Sequence, residues 1–261
     1  MRNAFKYLTL SVLGISTAFG VASIVEQSFA APESQEWSYE GADGPEAWGG
    51  ISEEFEACAL GTQQSPIDLQ NGDAIDAELT ELEFNYQPSA LNVLNNGHTI
   101  QVNYSPGSTL TLDDQTYELL QFHFHDPSEH TVDGSSYPME VHFVHQNAET
   151  GALAVVGVLL DIGADDNVTL QPIWDHIPSE AGPAVDVDGV DVNAAELLPD
   201  TTQENYRYFG SLTTPPCSET VNWIVMKETV TVSFQQVEQF AAAVGENARP
   251  IQTLGRRFVL D

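Results

Sequence analysis

The stretch Gln121-Phe-His-Phe-His125 alternates polar and aromatic residues over five consecutive positions. Because side chains two apart in a β-strand point to the same face, the glutamine and both histidines share one face. The two phenylalanines point to the opposite face, where they can enter an apolar layer. The segment is therefore predicted to be a strand with a hydrophobic core on one side and a functional surface on the other.

The segment Glu140-Val-His-Phe-Val-His145 repeats this arrangement further along the chain. Its glutamate and its first histidine, His142, share one face, whereas His145 lies on the other face with the apolar residues. If the two strands are neighbours in a sheet, the imidazoles of His123, His125 and His142 converge on one surface.

Three converging imidazoles are typical of a catalytic zinc site, which needs three neutral nitrogen ligands and an open fourth position for water. Ligating histidines usually donate their second N–H to an oxygen acceptor. Gln121 and Glu140 lie on the correct faces to act as these acceptors. The spacing of the two segments therefore predicts a metal site.

The spacing of His123, His125 and Glu129 also resembles the first metal motif of the cupins, in which Glu129 would be a ligand. The glycines expected on both sides of that motif are absent, and Tyr117 and Ser136 stand at those places. The site with three histidines is therefore the favoured interpretation.

From Leu79 onward, short segments that alternate apolar and polar residues are separated by turn signals such as Asn96-Gly97. Helix patterns are scarce. The best one runs from Ser233, a candidate N-cap, to Val244. This organisation predicts a mainly β fold with peripheral helices in a single domain. The clearest predicted strands are Leu91–Leu94, Thr99–Tyr104, Thr109–Leu112, Glu118–His125, Glu140–His145 and Leu153–Leu160.

Residues 1–30 have the pattern of a secretory signal peptide. Arg2 and Lys6 form a basic region, an apolar stretch runs from Tyr7 to Val25, and small residues precede a cleavage site after Ala30. We therefore expect a signal peptide in residues 1–30, one domain in residues 31–261, and export to the periplasm or the medium. The apolar stretch is also long enough for an uncleaved N-terminal anchor, and that alternative stays open.

The chain has 7 basic and 39 acidic residues among its 261, and a formal net charge of -32. Nucleic-acid binding requires clustered cations that displace counterions from phosphate, so this class of partner is excluded, as is docking to an anionic membrane. Removing residues 1–30 would leave a charge of about -33. Such an excess of acid predicts a salt-tolerant protein, because salt screens the repulsion between like charges.

The acidic segment from Asp186 to Asp191 has a superficial likeness to a calcium-binding loop. The ligand spacing and the closing glutamate of an EF-hand are missing. A solvated acidic loop is the favoured prediction.

The chain has two cysteines, Cys58 and Cys217, which both lie beyond the predicted signal peptide. In an exported protein, an isolated pair is most simply one disulfide. Two buried free thiols are the alternative.

Taken with the neighbouring motifs, the chain resembles the α-class carbonic anhydrases, in a form similar to the bacterial, exported members. The resemblance implies a central twisted, mostly antiparallel sheet of about ten strands. The motifs that carry it are Trp37-Ser-Tyr39, Gly44-Pro45, Trp48, Gln64-Ser-Pro-Ile-Asp68, Asn95-Asn-Gly-His98, Gln121 to His125, Ser128-Glu-His130, Glu140-x-His142, Gly210-Ser-Leu-Thr-Thr-Pro-Pro216, Trp223 and Asn247-x-Arg-Pro250.

The resemblance implies roles for single residues. His123, His125 and His142 match the ligands of Zn²⁺. Thr213 and an ionised Glu129 match the pair that orients zinc hydroxide. The other implied roles are the hydrogen-bond acceptors of the ligand histidines (Gln121, Glu140), the substrate pocket (Val144, Val155, Leu212, Thr214, Trp223), the proton shuttle (His98), the water chain (Tyr39, Asn96, Gln101) and the disulfide (Cys58, Cys217).

Two departures from the vertebrate pattern are visible. Asp126-Pro127 stands where vertebrate members have Trp-Gly, which is a form that resembles bacterial members. Gln101 replaces an asparagine that is common in vertebrate enzymes, so the water chain is expected to differ in detail.

The expected function is the reversible hydration of carbon dioxide to bicarbonate and a proton, by attack of zinc-bound hydroxide and with a histidine proton shuttle. The expected partners are these small molecules, without nucleic acid and without a membrane after signal cleavage. Homodimerisation is left open. Two alternatives from other classes are a non-catalytic protein of the same fold and an acidic module that binds calcium or mineral.

Overall fold

The structure, a computed structural model, describes residues 36–261. The predicted signal peptide and its cleavage site lie outside the described residues. The strands are β1 (Asp68–Leu69), β2 (Glu83–Asn85), β3 (Ser89–Asn95), β4 (Ile100–Asn103), β5 (Thr109–Leu112), β6 (Gln115–His125), β7 (Thr131–Val132), β8 (Met139–Gln146), β9 (Leu153–Gly163), β10 (Val185–Val192), β11 (Asn205–Gly210), β12 (Val221–Met226) and β13 (Val230–Ser233).

Helices are short and lie outside the sheet. The α-helices are α1 (Trp48–Ile51), α2 (Ala57–Leu60), α3 (Gln171–Trp174) and α4 (Phe234–Val244). Three 3₁₀-helices span Gly41–Asp43, Glu53–Phe55 and Ala194–Leu197. Among residues 36–261, no helix has both the length and the apolar composition needed to cross a membrane.

Eleven strands form one sheet, whose main path runs β10-β3-β4-β6-β8-β9-β12-β11. Strand β5 pairs with β6 and β2 with β5, while β13 pairs with β9. All of these pairs are antiparallel except those of β9 with β12 and with β13. Strands β1 and β7 form a separate parallel pair. The predicted mainly β fold, with a mostly antiparallel sheet of about ten strands, is confirmed.

The alternation of β6 and β8 divides their side chains between two apolar clusters. Phe122, Phe124 and Phe143 are fully buried in the larger cluster, on the face away from the histidines. Val155 and Trp223 belong to a smaller cluster on the histidine side. Burial of such side chains contributes about 1.5–3 kcal/mol each, so the core fixes which face the histidines occupy.

Helix α4 begins where the sequence predicts. The Ser233 hydroxyl accepts a hydrogen bond from Gln236 N, and the Gln236 side chain accepts one from Ser233 N. This capping box satisfies amide groups that have no partner within the helix. Phe240 is fully buried and packs its ring near Trp174.

The prediction of a solvated loop around Asp186–Asp191 is wrong, because Val185–Val192 forms the edge strand β10, paired with β3. The register shifts between Asp186 and Asp191, and Gly189 has a φ of 73° within this interval. An edge strand leaves one side in water, so it accepts alternating aspartates that a central strand would exclude.

Candidate active site

Strand pairing brings the three histidines of the sequence prediction onto one surface. His123 of β6 lies directly opposite His142 of β8, and His125 lies opposite Glu140. On the other side of β6, Gln101 of β4 faces His123. The site is therefore built on three central, hydrogen-bonded strands, which hold side chains more rigidly than loops do.

Each of the three imidazoles uses one nitrogen in a hydrogen bond with the protein. His123 Nδ1 is 2.8 Å from Gln121 Oε1, and His142 Nε2 is 2.8 Å from Glu140 Oε1. His125 Nδ1 is 2.8 Å from the backbone oxygen of Asn247. These acceptors fix the tautomer of each ring and turn its other nitrogen toward its neighbours.

The remaining nitrogens form a compact set of candidate metal ligands. One nitrogen from each of His123, His125 and His142 lies within 4.8 Å of the others. His125 Nε2 is buried and has no hydrogen-bond partner among the described residues, and neither has Glu129 Oε2. Buried polar atoms without partners are costly, and a bound cation would satisfy the imidazole nitrogen.

Burial keeps these imidazoles neutral, which is the form that binds a metal. It lowers the pKa of His123 well below 6.5, an effect reinforced by the two neighbouring histidines. It also lowers the pKa of His125 to about 4 and lowers the pKa of His142. Three neutral imidazoles, each with its other nitrogen held by a hydrogen bond, are a set of ligands that fits Zn²⁺.

Glu140 connects the histidine cluster to His130 through hydrogen bonds. Its Oε1 lies 2.8 Å from both His142 Nε2 and His130 Nδ1, and its Oε2 accepts hydrogen bonds from Glu129 N and His130 N. Burial raises the pKa of this carboxyl, but His130 and His142 outweigh burial and hold the pKa well below its usual value. His130 Nε2 in turn contacts the Tyr208 hydroxyl at 2.6 Å.

Glu129 lies beside the cluster. Its Oε1 accepts a hydrogen bond of 2.9 Å from Arg249 N, and its Oε2 is 3.6 Å from His125 Nε2 and 3.9 Å from His142 Nδ1. Burial raises the pKa of Glu129 to about 7, although the neighbouring His142 and Thr213 side chains and the Arg249 amide oppose the rise. Thr213 is buried and lies close enough to this carboxylate to lower its pKa, so the two predicted residues are neighbours.

The loop that carries Thr213 is anchored by a disulfide. Cys58 and Cys217 are bonded, which confirms the predicted bridge and excludes two free thiols. Cys217 N donates to the backbone oxygen of Thr214 at 2.8 Å. The buried Arg249 guanidinium donates to the backbone oxygen of Cys58 at 3.1 Å, so the bridge also contacts the residue that holds Glu129.

Apolar side chains line one side of the histidine cluster. Gln121, Val144, Val155 and Trp223 are successive cross-strand partners on β6, β8, β9 and β12. The Trp223 ring lies 4.8 Å from the His142 ring between centroids. Leu212 packs against the smaller apolar cluster that contains Val155 and Trp223, and Thr214 is half-buried. Val144, Val155 and Trp223 therefore lie on one continuous surface next to His142.

His98 lies apart from the three histidines, in the turn before β4. It is half-buried, and its ring stacks on Trp37, with centroids 3.7 Å apart. Asn96 uses its side-chain oxygen to accept hydrogen bonds from His98 N and Thr99 N. Tyr39 lies edge-on to His98 at 6.4 Å, and the Gln101 amide donates to Asn103 Oδ1 rather than to His98.

Several contacts at the site were not predicted from the sequence. Asn247 contributes a backbone oxygen, which has no side-chain signature, and it lies far from His125 along the chain. Arg249, Trp37 and Tyr208 were not assigned roles, although Trp37 and Arg249 occur in the family's motifs. The scarcity of basic residues, 7 against 39 acidic ones, was the available signal, since it makes each arginine in a motif a candidate partner for a carboxylate.

Comparisons with known proteins identify the family. The family model "Eukaryotic-type carbonic anhydrase" matches residues 43–261. A carbonic anhydrase of Nostoc sp. is 44% identical over 263 residues, covering 100% of this chain and 97% of the relative. A carbonic anhydrase of Pectobacterium carotovorum is 44% identical over 234 residues, covering 89% of this chain and 93% of the relative. The chain belongs to the eukaryotic-type, or alpha, carbonic anhydrase family, a family of enzymes.

Solved structures agree with this assignment. The alpha-carbonic anhydrase from Thermovibrio ammonificans, in complex with the inhibitor sulfanilamide, matches with a TM-score of 0.84 and 43% sequence identity. The match covers 88% of this chain and 100% of that chain. The alpha-carbonic anhydrase of Photobacterium profundum matches with a TM-score of 0.80 and 46% identity, covering 87% of this chain and 100% of that chain.

Proposed function

We propose that this protein catalyses the reversible hydration of carbon dioxide to bicarbonate and a proton, with Zn²⁺ bound by His123, His125 and His142. The observation that carries the proposal is the convergence of three neutral imidazoles, two buried and one half-buried, whose other nitrogens are already hydrogen-bonded. Membership of the carbonic anhydrase family supports the same activity. When bound, Zn²⁺ supplies a nucleophile at neutral pH by lowering the pKa of its water ligand to about 7.

Thr213 and Glu129 orient that nucleophile. When the Thr213 hydroxyl donates to an ionised Glu129, its lone pairs accept a hydrogen bond from the nucleophile and direct it toward the substrate. Glu129 has a pKa of about 7 because of burial. Positive charge beside the imidazoles would lower this pKa, since an opposite charge favours the carboxylate. The ionised form assumed from the family resemblance is therefore the working form at neutral pH.

The apolar surface of Val144, Val155, Leu212 and Trp223 holds carbon dioxide next to the nucleophile. A nonpolar molecule gains from contact with such a surface, whereas the charged product does not. Thr214, next to Thr213, provides a hydroxyl at the edge of this surface for hydrogen bonding with substrate or product.

His98 carries the proton from the site to solvent. A histidine titrates near neutral pH and is well suited to exchange protons with water. Its imidazole is outside the ligand set, so a proton must reach it through water. Tyr39, Asn96 and Gln101 lie near the two ends of that route and order the water.

Residues 1–30 act as a signal peptide that is cleaved after Ala30, and the exported domain comprises residues 31–261. The protein then works in the periplasm or the medium and tolerates high salt. Support comes from the basic and apolar pattern of residues 1–30, the Cys58–Cys217 disulfide and the charge of -32. A sedimentation measurement tests whether the protein forms a homodimer.

The proposal is tested by metal analysis together with a stopped-flow assay of carbon dioxide hydration. We expect about one zinc per chain, loss of activity after removal of the metal with dipicolinate, and recovery on addition of Zn²⁺. Purified protein that contains zinc but does not hydrate carbon dioxide would identify a non-catalytic member of the fold. Protein that takes up calcium and no zinc would support the acidic binding module instead.

A further inference from the structure

Gly157 occupies a central position of the sheet where glycine is unexpected. It lies on β9 directly opposite His142 and next to Val225 of β12. Glycine in the interior of a strand weakens the strand, because it brings no side chain to pack and loses more conformational freedom. The backbone does not require glycine here, since Gly157 is not among the residues with positive φ. Its presence therefore needs another physical reason.

The Glu140 carboxylate lies in the space above Gly157. A Cβ atom built on Gly157 would be 2.7 Å from Glu140 Oε1, which is too close for any real contact. The next nearest atom outside Glu140 is Val225 Cγ2, at an ordinary distance of 3.6 Å. The one obstacle to a side chain at position 157 is therefore this carboxylate.

The carboxylate cannot easily give way. The same Oε1 atom is 2.8 Å from His142 Nε2 and 2.8 Å from His130 Nδ1. The Oε2 atom accepts hydrogen bonds from two backbone amides. The side chain of Glu140 is fully buried. A shift of a few tenths of an ångström would therefore lengthen or misalign hydrogen bonds on a buried charge, which are costly to lose.

We propose that Gly157 is a positioning residue for the metal centre. The absence of a side chain at this position leaves the volume in which Glu140 bridges His130 and His142. Glu140 thereby holds His142 with Nδ1 turned toward His123 and His125. The purpose of this orientation rests on the proposed zinc chemistry, whereas the steric coupling of Gly157 to Glu140 does not depend on a metal.

The test is a double-mutant cycle of Gly157→Ala and Glu140→Ala. Zinc retention against a chelator and the melting temperature of the metal-free protein are measured for all four proteins. We expect Gly157→Ala alone to weaken zinc binding about 10- to 100-fold, the usual loss when the partner of a metal ligand is disturbed. It should also lower the melting temperature of the metal-free protein. In the Glu140→Ala background, Gly157→Ala should lower neither quantity, because the obstacle is gone.

Gly50→Ala is the matched control. A Cβ atom built on Gly50 would have no neighbouring atom within 4 Å, and the residue lies in the short helix α1. This change should therefore lower neither zinc binding nor stability. Unchanged zinc affinity in Gly157→Ala, or an equal loss with and without the Glu140 carboxylate, would overturn the inference.

The two proposals can fail separately. If the unaltered protein binds no zinc, the proposed function fails, but the melting temperatures of the metal-free proteins still test the coupling of Gly157 to Glu140. If Gly157→Ala does not fold, the folding of the double variant tests the steric coupling of Gly157 to Glu140. A folded double variant supports the inference, whereas an unfolded one beside a folded Glu140→Ala protein overturns it.

Discussion

His98 stacks on Trp37, with the ring centroids 3.7 Å apart and the planes only 7° from parallel. The contact holds the imidazole half-buried, and burial lowers its pKa below 6.5. At neutral pH this histidine is therefore mostly unprotonated and ready to accept a proton. The stack therefore gives the imidazole a defined position against an indole.

Removing this imidazole should slow turnover without disturbing the chemistry at the metal centre. We expect His98→Ala to lower kcat several-fold or more in dilute buffer, with little change in kcat/KM, because proton release follows conversion of carbon dioxide. Adding imidazole buffer should restore much of the loss. Stopped-flow assays across buffer concentrations measure both effects. Unchanged kcat in dilute buffer without imidazole would mean that protons leave by another route.

Loss of one proposed ligand should empty the metal centre. His142→Ala leaves two imidazoles, an incomplete set for Zn²⁺, so we expect most zinc and nearly all hydration activity to disappear. His176→Ala is the matched control, since His176 is exposed and its Nδ1 contacts only the Pro172 backbone oxygen. Metal analysis of both variants measures the effect. Full zinc occupancy in His142→Ala would contradict the ligand assignment.

Much of the fold follows from the sequence, because alternation with a period of two reports which face of a strand is buried. Phe122 and Phe143 lie in the larger apolar cluster, whereas His123 and His142 lie on the opposite face of their strands, as that pattern predicts. Ser233 and Gln236 likewise marked the start of α4 through side-chain chemistry that is local in sequence. Local patterns are readable because the atoms that decide them are close along the chain.

Contacts made by backbone atoms or between distant segments could not be predicted in the same way. The backbone oxygen of Asn247 is hydrogen-bonded to His125, but no feature of the sequence distinguishes it from other backbone oxygens. The stack of Trp37 on His98 joins two segments that lie far apart in the sequence. Strand β10 was missed because aspartate and glycine are disfavoured in strands, although its valines alternate at Val185 and Val187.

A buried histidine on the face of β8 opposite to His142 should give the protein an acid-sensitive stability. His145 lies in the core, where its Nε2 is 2.6 Å from the Tyr86 hydroxyl, and burial lowers its pKa from 6.5 to about 4. Between these pH values the unfolded chain binds a proton here and the folded protein does not. The contribution to the free energy of unfolding is therefore complete above pH 6.5 and lost as the pH falls toward 4, by about 3 kcal/mol.

Urea unfolding of the metal-free protein at several pH values measures this dependence. His145→Gln keeps polar atoms near Tyr86 but does not titrate, so its stability should fall less steeply between pH 6.5 and 4 than that of the unaltered protein. Equal slopes for the two proteins would show that His145 does not contribute to the acid sensitivity.

The acidic surface should make the fold more stable in salt. Apart from contacts of histidines, the ion pairs within residues 36–261 join Arg207 to Asp113 and Lys227 to Asp261, which leaves most carboxylates without a cation. Sodium chloride screens their mutual repulsion. We expect the melting temperature and the activity to hold or rise from dilute buffer toward molar salt. A steady fall of the melting temperature across this range would contradict the interpretation.

The Cys58–Cys217 disulfide should stabilise both the fold and the Thr213 loop. The bridge closes a loop of 159 residues, and loop-closure entropy gives it an upper contribution of about 5 kcal/mol. It also lies between the Thr213 loop and Arg249, whose guanidinium donates to Cys58 O. We expect Cys217→Ser to lower the free energy of unfolding by a few kcal/mol and to reduce kcat.

Urea unfolding and the hydration assay measure these two effects, and the control is Ser218→Ala, a change at the neighbouring position that keeps the bridge. Thiol titration of the unfolded, unreduced protein should find no free thiol in the control. It should find one in Cys217→Ser, since Cys58 then has no partner. Because the bridge anchors the loop that carries Thr213, reduction of the unaltered protein should reproduce the loss seen in Cys217→Ser. Full stability and full kcat after complete reduction would show that backbone contacts alone hold the loop.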